Sequence, residues 1–99
     1  MIYEIAEIDV RPGTETQFEA AVAEASAQFR TAEGCRSLKL ERGIEHPGRY
    51  RLVVGWDTVD HHMVTFRNSE GFQVWRNLAS PFFAAPPRVE HVGCVLEAF

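Results

Sequence analysis

Arg49-Tyr50-Arg51-Leu52-Val53-Val54-Gly55-Trp56-Asp57-Thr58-Val59-Asp60-His61-His62-Met63-Val64-Thr65-Phe66 changes its hydrophobic period once, near Asp57. Tyr50, Leu52, Val54 and Trp56 share one parity, as a strand with one buried face requires. After Asp57 the spacing changes. Val59, His62, Met63 and Phe66 fall at i, i+3, i+4 and i+7, one face of two helical turns. Asp57 or Thr58 is placed to cap that helix. A strand that runs into a helix through a short polar turn points to mixed α and β structure.

The flanks complete the pattern. Upstream, Cys35–Arg42 reads as a strand, with Leu38 and Leu40 on one side and Ser37, Lys39 and Glu41 on the other. Gly43–Gly48, with Pro47, turns it back towards Arg49. Ile2–Val10 is a further strand in which Ile2, Ala6, Ile8 and Val10 share a parity. Arg11-Pro12-Gly13 ends it. Thr14 and Gln17 match a capping box, and Phe18, Val22, Ala25, Phe29 and Ala32 then form one apolar helical stripe. Gly34 stands where a left-handed cap is expected. Downstream, Asn68-Ser69 restarts the chain, Phe72, Trp75, Leu78 and Ala79 make a second stripe, and Pro81 stops it. Ala84-Ala85-Pro86-Pro87 is a stiff connector to a last strand, about Arg88 to Leu96. The order is strand, helix, strand, strand, broken helix, strand. It predicts a ferredoxin-like βαββαβ α+β sandwich, a four-stranded antiparallel sheet covered by helices on one face. One domain spans residues 1–99.

Composition narrows the function classes. The 99 residues are 45% hydrophobic and 24% charged, an ordinary globular balance. No apolar run is long enough to span a bilayer, and the N-terminus has no basic region followed by an apolar stretch, so no secretory signal is read. The net charge is −4, and one lysine with nine scattered arginines makes no basic patch. Nucleic acid and anionic membranes are therefore not expected partners. Cys35 and Cys94 form no CxxC pair and read as buried thiols of a cytoplasmic protein. A chain this short has a small core. Its last strand is apolar on both parities, Val92, Cys94 and Leu96 against Val89 and Val95, and the helices cover only one side. A second copy is the natural cover, so a homodimer formed through the sheets is expected.

Several segments resemble the antibiotic biosynthesis monooxygenase (ABM) domains. Gly55-Trp56-Asp57-Thr58-Val59-Asp60-His61-His62 is similar to their strand-end tryptophan and following helix. Phe66-Arg67-Asn68-Ser69-Glu70-Gly71-Phe72 is similar to the segment built around S-P-x-F, and Arg11-Pro12-Gly13 to a frequent K-P-G. The resemblance covers nearly the whole chain. It implies a dimeric α/β barrel with a pocket between sheet and helices in each protomer. It also implies a range of activities: cofactor-independent oxidation of aromatic polyketides to quinones, haem degradation, polyketide cyclisation and lactone isomerisation. Fold alone does not choose among them. The haem-degrading relatives carry an asparagine on the first strand and a haem-ligating histidine just after S-P-x-F. Here those stretches read Glu4-Ile5-Ala6-Glu7 and Gln73-Val74-Trp75-Arg76, so no haem is expected.

Among residues that carry chemistry, His62 comes first. Its helical face points it inward, where an imidazole either packs and hydrogen-bonds or serves as a general base towards a bound molecule. His61, about 100° round the helix, reads as solvated, and His46 as a turn residue. The adjacent His61-His62 pair lacks the i, i+4 spacing of a helical zinc site, and no Cys/His cluster exists, so no metal is expected. His91 lies mid-strand on the parity of Val89, facing either the pocket or the partner. Trp56, Phe66, Phe72, Trp75, Phe82 and Phe83 are core packing or an apolar wall for a small planar aromatic molecule. Tyr50 shares the parity of Trp56 and would add a hydroxyl to that wall. Arg67 and Arg76 are solvated, ion-paired, or holders of an anionic substrate oxygen. Glu4 and Glu7, three apart on a strand, face opposite sides and are no carboxylate pair. No G-x-G-x-x-G, Walker loop or G-x-S-x-G is present, so no nucleotide or flavin cofactor is expected. The leading expectation is a cofactor-independent monooxygenase with His62 as base. A redox-neutral cyclase or isomerase and a non-catalytic dimeric binding protein are the alternatives.

Overall fold

The computed structural model describes residues 1–99. Strand β1 spans Ile2–Asp9, helix α1 Glu15–Arg30, β2 Cys35–Arg42 and β3 Arg49–Trp56. A π-helical segment, His61–Phe66, precedes α2 (Glu70–Ala79), a 3₁₀ turn (Ser80–Phe82) and β4 (Arg88–Val92). The strands form one antiparallel sheet in the order β2-β3-β1-β4. This is the α+β ferredoxin-like sandwich that the periodicity predicts.

The alternating residues of β1 and β3 build the core. Ala6, Ile8 and Val10 from β1 and its end, and Tyr50, Leu52, Val54 and Trp56 from β3, lie against Phe18, Val22 and Phe29 of α1 in one continuous cluster. The register pairs Ile8 with Tyr50, Ala6 with Leu52 and Glu4 with Val54, so Glu4 shares the inward face. Gly34 has φ +78°, and a Cβ there would collide with the His61 ring. Glycine at 34 therefore serves both the left-handed turn and the seat of His61. The opposite sheet face carries no helix. Tyr3, Ile5 and Val53 are only half-buried there, beside Glu7 and Asp9 paired with Arg49 and Arg88.

Four expectations are corrected. Thr14 makes no side-chain cap; its hydroxyl donates to the Arg11 carbonyl, and the Gly13 N–H donates to Glu15 instead. Val59 and Met63 are each 40% exposed. The intervening turn is wide, closed by the Arg67 N–H on the His62 carbonyl at 3.1 Å, so only His62 and Phe66 stay inward. The last strand stops at Val92 rather than Leu96, because Val92 already lies opposite Tyr3 and β1 has nearly run out of residues to pair. Val95, Leu96 and Phe99 project outward beyond it. Both thiols are free, and Cys94 lies in that projecting stretch, exposed rather than buried.

Candidate active site

A cavity of about 580 Å³ opens between the sheet and the second half of the chain. Its floor is Glu4 and Ala6 of β1, its back is His62, and its walls include Phe72 and Trp75 of α2 and Phe83. Arg67 and Arg76, both exposed, also line it, and neither has a carboxylate within ion-pair distance. The depression between Phe29 and Leu38 holds no carboxylate, and another, lined by Ile5 and Arg51, holds the Glu7–Arg88 ion pair.

Four ring and carboxyl groups meet at the back of this cavity. The Trp56 indole N–H donates to Glu4 Oε1 at 3.1 Å. His62 Nε2 lies 3.3 Å from the same oxygen, with an alignment short of a good hydrogen bond. On its other side, His62 Nδ1 is 2.8 Å from His91 Nε2. The His62 ring stacks on Trp56 at 5.5 Å between centroids, with planes 18° apart. Glu4 and His62 are 5% and 3% exposed, whereas His91 sits half-buried on edge strand β4. The second oxygen, Oε2 of Glu4, makes no hydrogen bond within the chain. No buried side-chain oxygen is left without a partner, so Oε2 keeps access to solvent, and Glu4 lines the cavity.

Burial sets the protonation of this group. Desolvation raises the Glu4 carboxyl to about 7, against the smaller opposing pull of the Trp56 N–H and the Arg67 charge. Desolvation also lowers the His62 imidazole to about 4, helped by repulsion from His91 and Arg67. At neutral pH the pair is therefore not a salt bridge. His62 is a neutral hydrogen-bonding ring, and Glu4 is the member that titrates.

His62 and His91 are thus brought together, and Phe72 and Trp75 line the cavity with His62. Trp56 and Phe66 lie one layer behind, Trp56 holding Glu4 and Phe66 packed against Phe29, Trp56 and Phe72. Tyr50 is placed elsewhere, which corrects its assignment to the wall. It is buried against Phe18, and its hydroxyl donates to Glu19 at 2.6 Å. Burial, then Glu19, pushes that hydroxyl up to about 12. Parity alone placed Tyr50 with Trp56, but five residues of strand lie between them, at opposite ends of β3. The sequence reading missed Glu4. Its signal was available, a carboxylate on the parity of Ala6, Ile8 and Val10, where an unexplained charge needs a partner inside.

Comparisons with known proteins agree with this architecture. The family described as antibiotic biosynthesis monooxygenase matches residues 1–78. A Bordetella bronchiseptica protein provisionally named as such a monooxygenase is 55% identical and superposes with a TM-score of 0.94 over 96% of this chain and 97% of that one. An uncharacterised protein of Bacillus subtilis, YczJ, is 32% identical over 92% of this chain and 96% of its own length. SnoaB, a cofactor-independent oxygenase from Streptomyces nogalater, shares the fold, with a TM-score of 0.83 over 98% of this chain and 95% of that one, at 15% identity.

Proposed function

The chain belongs to the antibiotic biosynthesis monooxygenase family, and within it we propose a cofactor-independent monooxygenase acting on a small hydroxylated aromatic or polyketide-like molecule. The observation that carries this reading is a single titratable carboxyl open to an aromatic-walled cavity. Ionised Glu4 takes a proton from the acidic C–H or O–H of the substrate at Oε2, with His62 beside it as a neutral hydrogen-bonding ring. An acid that titrates near the working pH is matched to such a transfer. Phe72 and Trp75 stack the ring system, and the charges of Arg67 and Arg76 favour the resulting anion. That electron-rich anion reduces dioxygen. For an anthrone-type methylene the balance is one methylene and one dioxygen to one ketone and one water, with no net proton taken up or released.

Two further parts of the reading concern assembly and place. The open sheet face, with Tyr3, Ile5 and Val53 half-buried and no helix above them, supports a homodimer formed through the sheets. The free thiols support a cytoplasmic location. The test of the activity is oxygen uptake with 1,8-dihydroxyanthrone as probe, followed with quinone formation. Equimolar uptake and quinone, lost in Glu4→Gln, is expected. Redox-neutral turnover would replace the reading by a cyclase or isomerase, and saturable binding without turnover by a binding protein.

A further inference from the structure

We propose that His91 is the water-side end of a proton path that charges and discharges Glu4 through His62, behind the bound molecule. The use assigned to this path rests on the reading of Glu4 as the cavity base.

The geometry is a chain of three groups leading from the cavity to the sheet edge. Glu4 Oε1 lies 3.3 Å from His62 Nε2, a contact that a small turn of the ring aligns for transfer, and His62 Nδ1 is hydrogen-bonded to His91 Nε2 at 2.8 Å. The two ends differ in environment. Glu4 is buried on β1, a central strand, whereas His91 is half-buried on β4, which has no strand beyond it. An aromatic molecule filling the cavity displaces the water that Oε2 meets there. A protonated Glu4 is then shut in, and only the ionised form is a base. The remaining route to water runs backwards through the two imidazoles.

Hydrogen-bond logic fixes how the path works. A neutral imidazole has one donor and one acceptor nitrogen. With Glu4 ionised, His62 holds its proton on Nε2, towards the carboxylate. Its bare Nδ1 then accepts from His91 Nε2–H, and His91 Nδ1 is bare. With Glu4 protonated, a half-turn of the carboxyl group carries the proton from the cavity-side oxygen to the one beside His62, where it faces bare His62 Nε2. His62 Nδ1–H donates to His91 Nε2, and His91 carries its proton on Nδ1. Conversion from the second state to the first moves three protons one step each. Glu4 gives to His62 Nε2, His62 Nδ1 gives to His91 Nε2, and His91 Nδ1 gives to water. One proton leaves Glu4, one enters water, and each ring keeps one. The reverse passage restores the first arrangement, and no oxidant or reductant is involved. The charged and titratable groups acting on the chain are Arg67, which disfavours charge on His62, His91 itself, and Cys35 of β2, whose thiol feels the Glu4 charge.

The test needs no substrate. Ring-nitrogen NMR of histidine-labelled protein reads the tautomers of His62 and His91, while the Trp56 indole N–H reports the ionisation of Glu4, which it touches. The expected result is a joint exchange of tautomers, Nδ1–H to Nε2–H on both rings, in step with the Trp56 signal as pH rises. A His62 tautomer that stays fixed while the Trp56 signal moves would overturn the path and leave His91 a packing residue. A second arm uses anthrone turnover. His91→Gln retains a hydrogen-bonding side chain but cannot pass a proton, so turnover is expected to fall about 10²-fold and to return with added imidazole. Unchanged turnover in His91→Gln, with Glu4→Gln inactive, would also overturn it. If the wild-type protein oxidises no anthrone, the proposed reaction fails, and the tautomer measurement still decides the path.

Discussion

Replacing Glu4 by Gln and His62 by Gln, one at a time, separates two opposite pH dependences that the wild-type protein hides. Glu4 titrates at about 7 in the folded chain rather than 4.5. Between those values the folded state holds a proton that the unfolded chain has lost. Glu4 therefore contributes stability that is fully present below 4.5 and lost as pH rises to 7. His62 titrates at about 4 rather than 6.5. It contributes stability present above 6.5 and lost as pH falls to 4. Each group swings stability by about 3 kcal/mol at about 1.4 kcal/mol per pH unit. From pH 6.5 down to 4.5 the two slopes oppose and nearly cancel. Chemical denaturation across that window, read as the difference of each variant from wild type so that surface carboxylates drop out, should uncover them singly. Glu4→Gln, which keeps an acceptor for Trp56, should lose stability relative to wild type as pH falls. His62→Gln should lose it as pH rises. Two variants whose differences from wild type do not change with pH would refute the burial of the pair.

Other perturbations follow from single contacts. Tyr50→Phe removes the hydrogen bond to Glu19 and should cost about 1 kcal/mol in denaturation with turnover unchanged, since the hydroxyl lies outside the cavity. Gly34→Ala forces a side chain into a φ of +78° and into the His61 ring. A melt should show more than the about 1 kcal/mol that ordinary glycine replacements change. Light scattering at micromolar concentration should give twice the chain mass, and Ile5→Arg, a charge on the open sheet face, should halve it. A monomeric wild type would remove the dimer. Trp75→Ala, which opens one cavity wall, should weaken binding of the anthrone probe, measured by equilibrium titration, while leaving the Glu4 titration in place.

Much of the fold was legible because its signals are local. Strand β3, Arg49–Trp56, has the span that alternation predicted, and Phe18, Val22, Ala25 and Phe29 are buried on α1 as their spacing required. Where β4 ends was not legible, because that depends on how far β1 reaches beside it. Of the candidate cavity, the inward placing of His62 and the wall residues Phe72 and Trp75 were legible, while Trp56 and Phe66, also assigned to the wall, lie behind it. Glu4 was hidden because its role comes from Trp56, His62 and His91, on three other elements. The placing of Tyr50 failed for a related reason. Parity tells which face a strand residue takes, but not which end of the sheet its side chain serves.

The wide turn after His61 has a consequence for how this site tolerates insertions and deletions. Met63, Val64 and Thr65 are exposed between two inward residues, and the turn closes on the fifth residue instead of the fourth. A loop in that position would absorb a lost residue by shortening. Here the loss of one residue lets the segment wind as an ordinary helix, with each residue set about 100° from the next. With Phe66 anchored among Phe29 and Trp56, the correction falls on His62, which swings away from Glu4 and His91. The number of residues between His62 and Phe66, more than the identity of any of the three, is what keeps the imidazole in line. Length variation is thus tolerated in the Gly43–Gly48 turn or beyond Val92, and is costly in these three positions.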